Sequence, residues 1–538
     1  MLPASTHRRR VLPFAAVAIA ASLLAGVAQA DTSTPADPKL IADLDAILAD
    51  PRLATAQAGV QVVDTSTGQV VYQHQADALL TPASTLKTIT SAAALELLGE
   101  NHVFTTEVRT TGSRYSSVLN GDLILRGGGD PSLQPKDLDD LAAQVAAAGI
   151  TTVTGRVLAD GSRYDSVPLG PGWAWDDEAY SYSPQISGLT VAPDAEYSMD
   201  TVKVTVTPAA TAGQPATVTL FPAEAPVKFA GQITTGAAGS GNTSGVERRR
   251  GVNELTLTGS LAVGSAPVTS FATVEDPTTY TGEVFAGALA KHGVRVLRPA
   301  KAATGTETSQ TLVGHASRPL GELLVPMLKL SNNGIAEHLL KEIGKVKGNQ
   351  GSWSAGVTQV NGFLKTNGLE QPTGRQVDGS GLSRYDLVSA SKLTALLKLA
   401  PNKPWFKTWY DALPVAGNPA PLVGGTLAAR MRGTAAENNV HAKSGSMGGV
   451  DNLVGYATAP DGRRLAFSVL VNNFPGARPR SVLDAIAVRL ATGPAVTPPA
   501  PAAPAAPGLK SFNAPALHDA PAEVPATRWE ECETFGRC

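Results

Sequence analysis

Cysteine is almost absent. The 538-residue chain has two, Cys532 and Cys538, both at the extreme C-terminus. No disulfide framework can hold the body of the fold; in an exported protein this pair could close only a small terminal loop. The eight histidines are scattered and form no His-Glu-x-x-His, which removes the common zinc-hydrolase helix. His338 and His441 read as packing or surface residues, and no metal or other cofactor is implied. No Gly-x-Ser-x-Gly is present, which removes the nucleophile elbow of the Ser-His-Asp hydrolases. After residue 30 no stretch approaches the ~18 apolar residues of a membrane span. Neither charge dominates, at a formal net charge of −2. Loss of Arg8, Arg9 and Arg10 with the leader would make that −5, which argues against a nucleic-acid partner. The run Arg248-Arg249-Arg250 reads as a solvated loop.

The chain opens on those three arginines, an apolar run from Val11 to Val27, and Ala28-Gln29-Ala30. This order predicts a secretory signal peptide cut after Ala30, and hence an exported, extracytoplasmic protein. At 43% apolar residues the remainder can bury a sizeable core. Residues 31–104 read as a helical lead-in, a hairpin of Gly59–Val63 and Gln69–Gln73, and a helix. Residues 105–279 change to short Val/Thr-rich strands between glycines and prolines, with one amphipathic helix at Leu138, Leu141 and Val145. Helical spacing returns over 280–493, where Asp451–Thr458 and Arg464–Val471 read as strands before a last helix at Val482–Leu490. Residues 494–538 are a Pro/Ala-rich linker and a polar tail.

The chemistry centres on Thr81-Pro82-Ala83-Ser84-Thr85-Leu86-Lys87. Leu86, Ile89, Ala93 and Leu97 recur at helical spacing and Gly99 is a stop, so Ser84 falls at a helix start with Lys87 one turn on. A lysine that gives up its charge can take the proton of a serine one turn away. The helix N-terminus would favour a developing oxyanion. Ser-x-x-Lys recurs at Ser389–Lys392, so the motif alone decides little. Two further signals follow in order: Ser331-Asn332-Asn333 ahead of a helix, and Lys443-Ser444-Gly445-Ser446 leading into a strand. A lysine and a hydroxyl beside a glycine can receive a carboxylate while backbone approaches the ligand.

This ordered set resembles the penicillin-binding proteins and serine β-lactamases, whose signatures are Ser-x-x-Lys, Ser-x-Asn and Lys-Thr/Ser-Gly. The interval from Ser84 to Ser331 is too long for a bare catalytic domain. Within it stand GDLILRGGGDPSL (Gly121–Leu133) and PGWAWDDEAYSYSPQISGL (Pro171–Leu189), and DGSGLSR (Asp378–Arg384) follows. These stretches resemble the class C penicillin-binding proteins, the D-alanyl-D-alanine carboxypeptidase/endopeptidase family, from about Leu44 to Leu490.

The resemblance implies an α+β fold, a β-lactamase/transpeptidase-like antiparallel sheet flanked by helices, carrying one or two inserted β-rich domains. It implies Ser84 as nucleophile, Lys87 as general base, Ser331 as proton relay and Asn333 as holder of Lys87 and the substrate amide. Lys443 and Ser444 would take the terminal carboxylate, with Ser444 replacing the usual threonine. Gly445 gives close approach, and the N–H groups of Ser84 and Ser446 would form the oxyanion hole. Asp177, Tyr182, Arg384 and Met447 correspond to the pocket for the free end of the peptide side chain. The implied partners are peptidoglycan peptides and β-lactam inhibitors. A serine β-lactamase, or a non-catalytic β-lactam-sensing or wall-binding protein, would use the same constellation.

Overall fold

A computed structural model describes residues 37–306, 308–370 and 373–493. The expected leader, the Pro/Ala linker, Cys532 and Cys538 lie outside the described residues. Among the described residues no helix is long and apolar enough to cross a membrane.

The two ends of the chain build one antiparallel sheet. Its order is His441–Met447, Val450–Thr458, Arg464–Asn472, Gln57–Asp64 and Val70–His74. The third strand shows why it is central. Leu465, Phe467, Val469 and Val471 alternate onto one face, against the helices Pro38–Leu48 and Arg480–Thr492. Ala466 and Leu470 face the other way, toward the helices of the larger core. A strand covered on both sides reads as a nearly continuous apolar run, as RLAFSVLV does. Its one interior polar group, Ser468, is paired with Thr394 Oγ1 at 2.9 Å.

The helix Lys87–Leu97 follows a single 3-10 turn, Ala83–Leu86, and every residue from Ala83 to Leu95 is buried. It lies within the larger core, among the helices Leu320–Lys329, Asn333–Gly348, Trp353–Thr366 and Ala390–Leu399. Leu86, Ile89 and Leu95 each contribute ~1.5–3 kcal/mol by leaving water. Gly99, at φ +90°, supplies the left-handed residue after the helix end.

The intervening chain is not purely β. A seven-stranded mixed sheet includes Thr105–Thr110, Leu123–Arg126, Thr152–Asp160, Arg295–Ala303 and Gln310–Ala316. The helices Pro135–Ala147 and Pro277–Lys291 cover it. Smaller sheets pair Val268–Thr273 with Thr201–Thr207 and Gly245–Arg248 with Glu254–Thr258. The boundary expected at 279/280 therefore cuts through this unit. The helix after Pro277 and the next two strands complete the inserted sheet, and the chain rejoins the catalytic helices at Leu320. Helical spacing at Val284 and Leu289 shows an amphipathic helix, but not which sheet it covers.

Candidate active site

The turn carrying Ser84 is held from beneath by two strand asparagines. Asn452 Nδ2 donates to the carbonyls of Thr81 (3.0 Å) and Pro82 (2.7 Å). Asn472 exchanges hydrogen bonds with the Thr81 backbone, accepting from its N–H at 2.7 Å. Ala83 sits at φ +46° immediately before the serine, and Ser331 at φ +62°. Such residues cost of order 1–3 kcal/mol each and persist only where surrounding contacts fix them.

Three chain segments converge on Ser84. Lys87 Nζ lies 2.8 Å from Ser84 Oγ, 2.5 Å from Asn333 Oδ1 and 3.0 Å from the Ser380 carbonyl. Lys443 Nζ donates to Ser331 Oγ at 2.9 Å and to its neighbour's carbonyl, Ser444 O, at 2.7 Å. Both lysines are completely buried. Ser444 Oγ donates to Thr426 Oγ1 at 2.9 Å. Ser446 is buried, and among the described residues its hydroxyl has no hydrogen-bond partner. A Cβ on Gly445 would lie 2.7 Å from the Pro82 carbonyl and 2.8 Å from Thr85 N, so only glycine lets this strand lie against the turn.

The helix after Ser331 separates its two asparagines. Asn332 is the N-cap, accepting from Ile335 N at 3.0 Å. Asn333 turns into the site and its Nδ2 donates to the Tyr182 carbonyl at 2.8 Å. Glu337, one turn on, takes both oxygens beneath the Asp378–Arg384 loop. It accepts from Trp353 Nε1 (2.7 Å), Gly379 N (2.9 Å) and Ser380 N (2.8 Å), and so fixes the carbonyl that faces Lys87. Burial, and then the charge of Asp378, push Glu337 up to about 7. Asp378 ties the same loop together, accepting from Gly381 N, Ser383 N and Trp173 Nε1.

Asp177, Tyr182 and Arg384 gather in one place, and Met447, packed with Ala83 and Val450, precedes the glycine that Arg384 binds. Tyr182 OH donates to Asp177 Oδ1 at 2.7 Å. Arg384 donates to the Gly448 carbonyl at 3.2 Å, beside Met447, and its charge acts on Asp177. Burial raises the Asp177 carboxyl above its ordinary range, against the pull of the Tyr182 hydroxyl.

The second Ser-x-x-Lys is a helix cap, with Ser389 Oγ accepting from Lys392 N at 3.1 Å. His338 is buried between the carbonyls of Gly334 and Ser187, and burial lowers it to about 4. His441 stacks on Tyr410 at 4.3 Å. One sequence expectation is overturned: Arg248 is not solvated but buried, bound to Glu178 and Glu275. A separate cleft of about 310 Å³, lined by Phe104, Arg126, Arg163 and Lys345, contains no residue of Ser84–Lys87, Ser331–Asn333 or Lys443–Gly445. Its Arg163 is neutralised by Glu342 at 2.5 Å.

Fold and constellation together define a class C penicillin-binding protein. The chain belongs to the D-Ala-D-Ala carboxypeptidase 3 (S13) family, a serine-type peptidase family whose pattern matches residues 40–493. It is 45% identical over 474 residues to the D-alanyl-D-alanine carboxypeptidase of Actinomadura sp. strain R39, covering 87% of each chain. It is 27% identical to the D-alanyl-D-alanine carboxypeptidase DacB of Haemophilus influenzae, over 76% of this chain and 83% of that one. The crystal structure of penicillin-binding protein 4 from Haemophilus influenzae has the same fold. It matches with a TM-score of 0.70 at 24% identity, covering 82% of this chain and 97% of that one.

Proposed function

We propose that the chain is an exported serine D,D-peptidase that acylates itself at Ser84, trims D-Ala-D-Ala ends of peptidoglycan peptides, and is inhibited by β-lactams. The observation that carries this reading is the surroundings of Lys87 Nζ. A neutral amine has two N–H bonds and one lone pair. Two carbonyl oxygens, Asn333 Oδ1 at 2.5 Å and Ser380 O at 3.0 Å, are there to accept the N–H bonds. That arrangement lets the lone pair face Ser84 Oγ at 2.8 Å, whose hydroxyl then becomes the donor.

Ser84 Oγ attacks the carbonyl carbon of the penultimate D-alanine and its proton passes to Lys87. The N–H groups of Ser84 and Ser446 hold the oxyanion. As the tetrahedral species collapses the C–N bond breaks, and Ser331, bound to Lys443, gives its proton to the departing amine and takes in its place the one held by Lys87, which becomes neutral again. Lys443 and Ser444 receive the carboxylate of the terminal D-alanine. Water then hydrolyses the acyl ester, with neutral Lys87 taking the water's proton and returning it to Ser84 Oγ as the ester bond breaks. The gathering of Asp177, Tyr182 and Arg384, with Met447 beside the glycine that Arg384 binds, supports a pocket for a side chain ending in an amino group. It extends the reading to an endopeptidase that cuts bonds from D-alanine to a diaminopimelate-type residue.

The test follows covalent labelling of the mature chain by a fluorescent penicillin, beside Ser84→Ala, together with D-alanine release from a D-Ala-D-Ala peptide. A long-lived adduct absent from Ser84→Ala, with D-alanine released only by the unaltered enzyme, is the expected result. An adduct that decays within seconds while penicillin is consumed would instead identify a β-lactamase. Neither labelling nor D-alanine release from folded protein would end the proposal.

A further inference from the structure

The segment Trp173–Gln185 carries Asp177 and Tyr182, yet its anchors come from the inserted strands. Arg248 ends the strand Gly245–Arg248, and its side chain is fully buried. Its NH2 group donates to the Glu178 carbonyl at 3.1 Å and to Glu178 Oε1 at 2.9 Å. NH1 donates to Glu275 Oε1 at 2.7 Å, and Nε to Thr273 Oγ1 at 3.0 Å. Thr273 Oγ1 in turn donates to the same Glu178 carbonyl at 3.0 Å. The backbone of Tyr180 bridges that of Ala272. On the other side of Asp177, Arg250 lies 3.8 Å over the ring of Trp175 and donates to its carbonyl at 3.4 Å. Asp177 is thus bracketed, at positions 175 and 178, by two arginines of one inserted tripeptide.

The bracket reaches the reacting centre in two steps. Tyr182, stacked on Tyr180 at 5.5 Å, donates its hydroxyl to Asp177 and accepts from Asn333 at its carbonyl. A planar guanidinium spanning two carboxylates and a carbonyl fixes direction as well as distance, which a lysine could not do. Burial raises Glu178, and the hydrogen bonds from Arg248, Glu275 and the Gly251 N–H, together with the Arg248 charge, more than offset it, leaving Glu178 below its ordinary range.

We propose that Arg248 is a positioning residue for substrate choice. Through Glu178 it fixes the Asp177 carboxylate at the site, so that the inserted sheet sets the preference for peptides whose side chain ends in a free amine. This rests on the reading of Asp177 as the partner of that amine. Tethering through Glu178 also gives the strands Gly245–Arg248 and Val268–Thr273 a role in a reaction that none of their residues touches.

The test compares kcat/KM for two D-Ala-D-Ala peptides, identical except that the side-chain amine is free in one and acetylated in the other. The full-length mature enzyme is compared with Arg248→Met, Arg248→Lys, Glu178→Gln and Asp177→Asn. Arg248→Met is expected to lower the preference for the free amine about tenfold or more, through KM. The kcat on the acetylated peptide should stay near the unaltered value. Arg248→Lys should fall between, keeping charge without the fork. Should Arg248→Met fail to fold, Glu178→Gln carries the same expectation from the partly exposed side of the pair. A preference lost in Asp177→Asn but kept in both Arg248→Met and Glu178→Gln would overturn the role of Arg248 alone. A preference kept in Asp177→Asn would overturn the reading of the acid as well. Equal losses on both peptides would reduce Arg248 to a fold-stabilising residue and overturn the proposal.

Discussion

Gly445 and Asn452 face each other across neighbouring strands, and both meet the Pro82 carbonyl. Asn452 donates to that carbonyl from the sheet at 2.7 Å, and Gly445 leaves the space into which the turn descends. The height of Ser84 above the sheet is thus set by the asparagine amides beneath its turn and one missing side chain.

Gly445→Ala tests this relationship. The added Cβ would stand 2.7 Å from the Pro82 carbonyl and 2.8 Å from Thr85 N, both backbone atoms with no rotamer to yield. The strand must move away from Ser84 by a few tenths of an ångström or more. Misplacing reacting groups by ~1 Å can cost about 10²-fold, so acylation is expected to slow ten- to a hundredfold. Stopped-flow labelling with a fluorescent penicillin measures it, and an unchanged rate in folded protein would refute the close-approach argument.

Lys87 offers a sharper contrast. Lys87→Met keeps the length and removes the amine, leaving Asn333 Oδ1 and the Ser380 carbonyl without their donor. General-base loss alone is worth about 10²–10⁴-fold. The acylation rate should fall by at least 10³-fold, with Tm lowered as two buried acceptors go unmet. Acylation within tenfold of the unaltered enzyme would mean that another group takes the serine proton.

Glu337 links stability to pH. Its carboxyl is raised in the folded state to about 7, so the folded chain keeps a proton that the unfolded chain releases nearer 4.5. Stability from this group is full below about pH 4.5 and is lost as pH rises to about 7, on the order of 3 kcal/mol. Glu337→Gln cannot ionise. The variant is destabilised at pH 5 because its amide meets N–H donors, but its deficit against the unaltered protein should shrink steadily toward pH 8. Thermal unfolding at pH 5, 6, 7 and 8 reads this, and a deficit that stays constant or grows with pH would contradict the raised carboxyl.

The motifs carrying the chemistry were legible because each is local: one helical turn, one helix entry, one strand start. Sheet strands such as Arg464–Asn472 were legible from their unbroken apolar runs. The residues that hold the motifs in place were not. Asn452 and Asn472 are single polar side chains in apolar strands, visible as oddities, but only the folded sheet shows the turn they bind. Ser380 acts through its carbonyl, which any residue type would supply. Arg248 sits in a run of three arginines that reads as solvated, and burial singles it out only because Glu178 and Glu275 converge on it from distant segments. Long-range pairing likewise decided where the insertion ends, since Arg295–Ala303 pairs with Thr152–Asp160 across more than a hundred residues.

Ser444 stands where a threonine is usual, and the geometry says which part of that residue matters. Its Oγ reaches Thr426 Oγ1 at 2.9 Å and its carbonyl holds Lys443 at 2.7 Å. The backbone contact survives any substitution; the hydroxyl contact does not. Ser444→Thr adds a methyl group at a position only 2% exposed, a packing cost of about 1–3 kcal/mol at most, while keeping the donor. On the proposed reading, Ser444→Ala removes a donor to the substrate carboxylate worth about 1.5–3 kcal/mol. Steady-state D-alanine release should therefore give Ser444→Thr a KM within about threefold of the unaltered enzyme, and Ser444→Ala a KM raised about ten- to a hundredfold. If alanine and threonine behaved alike, the carboxylate would be held by Lys443 without the hydroxyl, and the serine would be a packing choice.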